Sequence, residues 1–142
     1  MRTRTLLLLS VATALAILLA GGLWLFLLAR EDDPLPATGL GAPVRVGDVT
    51  VTVEGAGQTG EVFSIDVELG GVDDLDGLDS FRLITGEDDL APLTSPAEGR
   101  CTQITAATTT CALEFEVDAA AAPNLVLVMR RGEDVARWDG LR

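Results

Sequence analysis

An uncharged apolar block near the start of the chain limits the possible architecture more than any other feature. Residues 6–28 contain no charged side chain. At about 1.5 Å per residue this block would form a helix about 35 Å long, and the hydrocarbon core of a bilayer is about 30 Å thick. The block therefore predicts a transmembrane helix over residues 6–29, which acts as a signal anchor and attaches the protein to the membrane.

A cleaved signal peptide is the alternative interpretation of the same block. Signal peptides have a shorter apolar core, of about 7–15 residues, followed by a cleavage site with two small residues. The best local site follows Ala20, but Leu18 occupies the other position that needs a small residue. The length of the block favours an uncleaved anchor, and cleavage stays open as the alternative.

The charged residues beside the block predict its orientation. Arg2 and Arg4 precede it, whereas Arg30 is the one basic residue directly after it and is followed by acidic residues 31–33. Cytoplasmic flanks carry the excess of Lys and Arg. We therefore expect a single-pass cell-membrane protein, with residues 1–5 in the cytoplasm and the C-terminal domain outside.

A linker rich in proline, glycine and acidic residues occupies residues 30–43. It contains LPATG at residues 35–39, which matches the LPxTG signal that sortases use to attach surface proteins to Gram-positive cell walls. Such a signal normally precedes a C-terminal span, whereas here the span comes first. Cutting after Thr38 would release the following domain instead of attaching it, so we interpret the segment as a semi-rigid tether.

The chain from residue 44 to residue 142 alternates apolar and polar side chains as β-strands do. In segment 61–69, Phe63, Ile65, Val67 and Leu69 point to one face. Further strand patterns occupy residues 49–54, 81–85, 111–117, 125–129 and 135–139. About seven short strands at intervals of about ten residues predict an all-β fold, an immunoglobulin-like antiparallel β-sandwich, for the domain at residues 44–142.

Two details of this pattern give more specific predictions. The Gly-rich residues 55–60 are expected to form a hairpin loop of about six residues. Residues 125–129, with the sequence LVLVM, are apolar on both faces. Such a run favours a strand in the interior of a sheet.

The two cysteines are Cys101 and Cys111, with residues 102–110 between them. Outside the membrane such a pair most often forms a disulfide. We expect one between neighbouring strands joined by a turn near Ala106, worth about 2–3 kcal/mol. A redox-active pair is the alternative, but such pairs usually have closer spacing and a stabilised thiolate.

Four stretches of the domain carry a resemblance to a known group of proteins. They are VRVGDVTVTV, FRLITGEDDLAPL, CALEFEV and LVLVMRRGEDVARWD. Together they resemble the exported immunoglobulin-like (telokin-like) domains of unknown function in surface proteins of Gram-positive bacteria. The resemblance covers residues 43–142, and this chain lacks the lipidated cysteine that many of those proteins carry. It implies a fold and an extracellular location, and it transfers no catalytic residue.

The charge balance after the helix excludes some classes of partner. Residues 31–142 contain seven arginines and all 22 acidic residues, which gives 7 − 22 = −15, and the chain has no lysine. Binding of nucleic acid through phosphates needs clustered cations. We therefore expect no nucleic-acid partner, and an anionic membrane surface would repel the domain.

The residue types needed for catalysis are scarce. The chain has no histidine, which is the usual general base and triad partner. Ser64, Ser80 and Ser95 therefore have no obvious activator. Transition-metal sites need histidine or several cysteines. We expect no enzyme activity and assign no catalytic residue.

We expect no cofactor, and the acidic segment 70–80 raises calcium as the alternative. It contains four closely spaced aspartates, Asp73, Asp74, Asp76 and Asp79. Calcium takes six to eight oxygen ligands, and closely spaced aspartates beside a glycine bend can supply several. The segment lacks the order and the terminal glutamate of an EF-hand loop. A solvated acidic loop is the simpler interpretation, and calcium binding is the sharper hypothesis.

The leading functional expectation is a membrane-anchored, non-catalytic, extracytoplasmic binding module for a protein or a cell-envelope component. Outward acidic residues on the strands would favour a basic partner: Asp66, Glu68, Glu114 and Glu116. The first alternative is an accessory subunit of a membrane transport or secretion complex, in which the transmembrane helix itself binds. The second alternative is a calcium-responsive surface module.

Overall fold

The chain divides into two compact units, residues 1–34 and residues 35–142. A computed structural model of the chain describes residues 2–30, 36–86, 88–118 and 124–141. Part of the predicted linker, residues 31–35, lies outside the described residues, and so does the first residue of LPATG. The first unit contains a helix and the second contains a β-sandwich.

The helix of the first unit, α1, extends over Arg2–Arg30. Its stretch Thr3–Ala29 has a mean hydropathy of 2.4 and is long and apolar enough to cross a membrane. Signal sequences near an N-terminus share this property. The helix therefore fits either a signal anchor or a signal peptide, which are the two interpretations that the sequence left open.

Within the described residues, eight strands form two antiparallel four-stranded sheets. They are β1 (Val44–Val46), β2 (Val49–Thr59), β3 (Val62–Gly70), β4 (Phe81–Thr85), β5 (Asp88–Leu90), β6 (Thr109–Glu116), β7 (Leu125–Arg131) and β8 (Asp134–Leu141). The first sheet has the order β1-β2-β3-β6 and the second sheet the order β5-β4-β7-β8. This two-sheet sandwich after an apolar helix confirms the predicted fold class.

The core lies between the two sheets and contains the alternating apolar residues that the sequence indicates. Phe63, Ile65, Val67 and Leu69 of β3 are each at most 2% exposed. Facing residues of the second sheet are equally buried: Phe81, Leu83, Leu127, Met129 and Trp138. Burial of each such side chain contributes about 1.5–3 kcal/mol, so this shared core holds the two sheets together.

The hairpin between β2 and β3 is tighter than predicted. β2 continues through the Gly-rich residues to Thr59, and β3 starts at Val62. The turn therefore needs only two residues, and Gly60 supplies a positive φ of 62°. A register shift between Val53 and Gly55 lets the long strand follow the twist of the sheet. The expected six-residue loop is wrong because the glycines pair as strand residues.

The last part of the linker is bonded to the sandwich. The N–H of Thr38 donates to the carbonyl of Arg137 in β8, and the N–H of Gly41 donates to the carbonyl of Val53 in β2, both at 2.7 Å. One bond reaches each sheet. The backbone of the predicted linker is therefore fixed to the sandwich at Thr38 and Gly41, which its Pro/Gly composition does not indicate.

Candidate functional site

The acidic loop between β3 and β4 contains the four aspartates suggested as calcium ligands. The Asp73 carboxylate accepts a hydrogen bond from the N–H of Ala106 at 2.9 Å. The Asp74 carboxylate accepts one from the N–H of Asp76 and lies 2.9 Å from Nη2 of Arg131. These contacts fix the loop against neighbouring segments and occupy oxygens that a metal ion would need.

The four aspartates do not assemble as a set of ligands. Across the described ranges, no group of three or more His, Cys, Asp or Glu side chains is placed to hold a metal ion. Gly77 in this loop has a packing role, because a Cβ at this position would come within 2.6 Å of Cδ1 of Ile104. The geometry therefore gives no support to a calcium ion shared by Asp73, Asp74, Asp76 and Asp79.

Arg131, at the end of β7, joins the acidic loop to the turn between β1 and β2. Its side chain is 18% exposed and forms ion pairs with Asp48 and Asp74. The hydrogen bond from Arg131 lowers the pKa of the Asp48 carboxyl below its ordinary value of 3.8, and the same bond raises the pKa of Arg131. The contacts connect a strand of the second sheet to a turn of the first sheet and to the loop between the sheets, which makes Arg131 a structural residue.

The disulfide lies at one edge of the first sheet. It joins Cys101 and Cys111, whose Cα atoms are 5.1 Å apart. Cys111 is in β6, whereas Cys101 lies in a segment without regular structure and donates its N–H to the carbonyl of Ala112 at 2.8 Å. The expected pair of neighbouring strands is therefore wrong. The bond ties an irregular segment to an edge strand.

The neighbouring residue Arg100 strengthens the same edge. Its Nε donates to Oε2 of Glu114 at 2.6 Å, and its Nη1 donates to the carbonyl and the hydroxyl of Ser95, both at 2.7 Å. The side chains of Arg100 and Glu114 are only 14% and 21% exposed. This ion pair and the disulfide together hold residues 95–101 against β6.

The outer face of the first sheet carries the acidic residues proposed to attract a basic partner. Asp66, Glu68 and Glu116 are exposed, whereas Glu114 is engaged by Arg100. The rest of this face is mainly polar, with Thr50, Ser64, Thr110 and the buried Thr52. It also carries Arg45, Val62 and Ala112. Such a surface is typical of solvated charge on an acidic domain.

The outer face of the second sheet has a different composition. Two aspartates lie on it, Asp89 beside Ile84 and Asp139 beside Arg137. Because side chains alternate along a strand, it also combines three arginines with four aliphatic residues: Arg82, Ile84, Val126, Val128, Arg130, Val135 and Arg137. We call these seven residues the arginine–valine face. Val128 pairs with Arg82 on one side and Arg137 on the other. With strands about 4.8 Å apart, the Cα atoms of the two arginines are separated by about 10 Å.

Two shallow grooves run over this face and share Ile84, Val128 and Arg130. One has a volume of about 310 Å³ and extends over Val126 and Val135. The other, of about 270 Å³, extends towards the end of the acidic loop. Both are open to solvent. Their shape suits the docking of a surface better than the enclosure of a small molecule.

The three arginines of the face are weakly neutralised. Arg82 donates to two main-chain carbonyls at 2.7 and 2.9 Å, and its nearest carboxylate oxygen, on Asp89, is 3.6 Å away. Arg137 lies 3.7 Å from a carboxylate oxygen of Asp139. Arg130 is exposed and has no acidic partner in the part of the chain that the structure describes. Positive charge therefore stays available at the surface.

The strand edges of the sandwich are short or covered. Main-chain bonds from Leu93 and Cys101 cover β6, and a bond from Thr38 occupies the carbonyl of Arg137 in the middle of β8. The other two edge strands, β1 and β5, have three residues each. Open edges are where an extended peptide would add a strand. A partner of this domain is therefore expected to use a face.

These observations define an immunoglobulin-like-type antiparallel β-sandwich with one arginine-bearing face. It is similar to the crystal structure of MPT63, a secreted protein from Mycobacterium tuberculosis, with a TM-score of 0.52 and 16% identity. The match covers 75% of this chain and 99% of that one. At this identity the likeness shows the fold. No family model matches the chain, and no curated protein is significantly similar to it.

Reasoning from the sequence did not find the arginine–valine face. Its members come from β4, β7 and β8, and only the strand order brings Arg82 beside Arg130 and Arg137. One signal was present, because residues 125–129 are apolar on both sides. That run correctly predicted a central strand. It also places Val126 and Val128 on an outer face that no other layer of the described sandwich covers.

Proposed function

We propose that this protein is a membrane-anchored, non-catalytic binding module at the surface of a Gram-positive cell. In this proposal α1 stays uncleaved, with its N-terminus in the cytoplasm. The sandwich lies outside the membrane and binds a protein or a cell-envelope component through the arginine–valine face.

The composition of the face is the observation that carries the proposal. The chain after α1 has seven arginines against 22 acidic residues. Three of those arginines share one outer face with four aliphatic side chains. Among the described residues Arg130 has no carboxylate partner, and Arg82 and Arg137 are paired only loosely, with Asp89 at 3.6 Å and Asp139 at 3.7 Å. The four aliphatic side chains are half-buried or, for Val128, buried between the arginines, and apolar surface rimmed by polar groups is typical of interaction sites. Arginine is enriched at protein interfaces, whereas lysine is depleted.

Two further features support the proposal. The chain has no histidine, so the commonest acid–base group of enzymes is missing. The covered strand edges favour recognition through a face. The anchored topology rests on the length of α1 and on the basic residues Arg2 and Arg4 before it.

Purification of the full-length chain from its own membranes tests the proposal. The protein would be extracted in mild detergent, and the proteins that accompany it identified by mass spectrometry. The Val135→Glu variant places a carboxylate on the arginine–valine face. Thr110→Glu is the matched control, because Thr110 is exposed and lies on the outer face of the other sheet. We expect a partner that is recovered with the wild type and with Thr110→Glu, and that is lost with Val135→Glu.

A third variant separates this function from that of an accessory subunit. In it, an unrelated transmembrane helix replaces residues 6–28. A partner lost only in this variant would mean that the helix binds and would replace the proposal with the accessory-subunit interpretation. A protein that is recovered alone in every variant would contradict both.

A further inference from the structure

We infer that the arginine–valine face recognises an acidic segment of a protein partner, in which carboxylates lie on both sides of an apolar side chain. The inference rests on the proposed function, because it takes this face as the binding surface. It adds the chemistry of the partner, which the acidic composition of the domain does not suggest.

The register of the face sets the pattern that a partner has to match. Arg82, Val128 and Arg137 form one row across three strands, with the aliphatic residue in the middle. Arg130 and Val135 form the next row on the same face. A side chain placed over Val128 would therefore have guanidinium groups on both sides. Carboxylates about 10 Å apart would complement Arg82 and Arg137.

The arginine side chains are suited to carboxylates because of how they are held. Two main-chain carbonyls accept hydrogen bonds from Nη1 of Arg82, and its Nε lies 3.6 Å from Oδ1 of Asp89. These contacts orient the guanidinium and leave Nη2 for a ligand. A planar guanidinium presents paired donors that match a carboxylate. The stems of the arginines lie beside Val128, which is only 8% exposed. Contact with an apolar side chain would exclude water from these ion pairs and strengthen them.

Two other occupants fit the face less well. An anionic bilayer would repel a domain whose charge is −15 over residues 31–142. A second copy would have to offer its acidic sheet. The outer aliphatic side chain there, Val62, pairs with Glu116 on one side and with Thr59 on the other, so a carboxylate lies on one side of it only. A local acidic segment on an otherwise less acidic protein can supply an apolar side chain between carboxylates. It also avoids repulsion between two strongly negative surfaces.

Site-specific photo-crosslinking in native membranes tests the inference. The full-length chain would carry p-benzoylphenylalanine in place of Ile84, on the face, or in place of Thr110, on the opposite sheet. The crosslinked segments would be sequenced by mass spectrometry. We expect an adduct from the Ile84 site alone, on a protein segment that has Asp or Glu on both sides of an apolar residue.

Charge variants then test the role of the arginines. Arg130→Gln in the crosslinking background should lower the adduct yield about tenfold, since a bond to a charged group is lost. Arg45→Gln is the matched control, because Arg45 is exposed, lies off the face and carries the same charge. Arg130→Glu should abolish the adduct, and replacing the nearest carboxylate of the partner by arginine should restore it.

The outcomes separate the inference from the proposed function. An Ile84 adduct on a segment without carboxylates, or an equal loss in Arg45→Gln, would overturn the inference and leave the face as a binding surface. Adducts on lipid or on a second copy would overturn the inference in favour of those occupants. Equal adducts from Ile84 and Thr110, or none from Ile84, would overturn both.

Discussion

The two outer faces of the sandwich differ in how they use charge. On the first sheet, exposed Asp66, Glu68 and Glu116 lie mainly among threonine and serine, with one arginine, Arg45, in the edge strand. On the second sheet, three arginines lie among aliphatic residues, with Asp89 and Asp139 beside them. Because acidic residues outnumber arginines by 22 to seven after α1, the position of an arginine carries more information here than the position of a carboxylate.

The arginines themselves fall into two groups. Arg100 and Arg131 are 14% and 18% exposed, and each bonds to carboxylates that lie on other segments of the sandwich. Arg82 and Arg137 are 41% and 34% exposed and lie more than 3.5 Å from the nearest carboxylate oxygen. The first group connects parts of the fold. The second group is available to a partner, and variants of the two groups should behave differently.

The largest expected effect concerns the edge of the acidic sheet. The double variant Cys101→Ala, Cys111→Ala removes a short covalent loop, and we expect the free energy of unfolding to fall by about 2–3 kcal/mol. Urea denaturation of the full-length chain under oxidising conditions measures it. Crosslinking from the arginine–valine face should persist where the variant is folded. If crosslinking disappeared in the folded variant, the two sheets would not be independent in function.

The next effect distinguishes a structural arginine from an exposed one. Arg100→Gln leaves Glu114 partly buried without its cation, and we expect a loss of about 1–2 kcal/mol. Arg45→Gln removes the same charge from an exposed position and serves as the control. Equal midpoints of denaturation for Arg100→Gln and the wild type would mean that the pair at the edge of β6 adds nothing to stability.

The sequence predicted the inner faces better than the outer ones. Alternation along β3 and β6 identified core residues such as Phe63 and Phe115, because burial imposes a period of two on each strand separately. An outer face carries no such requirement. Its composition depends on which strands are neighbours, and the order β5-β4-β7-β8 joins segments that are more than 40 residues apart.

Composition left out contacts in two other segments for the same physical reason. The acidic loop suggested calcium through its aspartates and glycines, and the structure pairs Asp74 with Arg131 and packs Gly77 on Ile104. The Pro/Gly linker suggested a semi-rigid tether, and the structure adds hydrogen bonds from Thr38 and Gly41 to the two sheets. In each case the deciding contact joins residues distant in sequence, and no local pattern encodes it.

A smaller effect should depend on pH. Arg131 holds the pKa of the Asp48 carboxyl below 3.8, so ionised Asp48 stabilises the folded state above the pKa of the unfolded chain. That stabilisation is lost as the pH falls through the lowered pKa. Thermal melts at pH 7 and near pH 3 should therefore show that Arg131→Gln costs more at pH 7. Arg130→Gln should show no such change, and a pH-independent cost for Arg131→Gln would contradict the role of Asp48.

The smallest effect on stability is expected for the face itself. Arg130→Gln should change the free energy of unfolding by less than about 0.5 kcal/mol, because the side chain is exposed and has no acidic partner among the described residues. The remaining change should come from one more unit of net negative charge on an acidic domain, and added salt should reduce it. Denaturation curves at low and high salt measure the total change in the free energy of unfolding and the part of it that depends on salt. A loss as large as that of Arg100→Gln would place Arg130 with the structural arginines, and the contrast between the two faces would then reflect folding and not recognition.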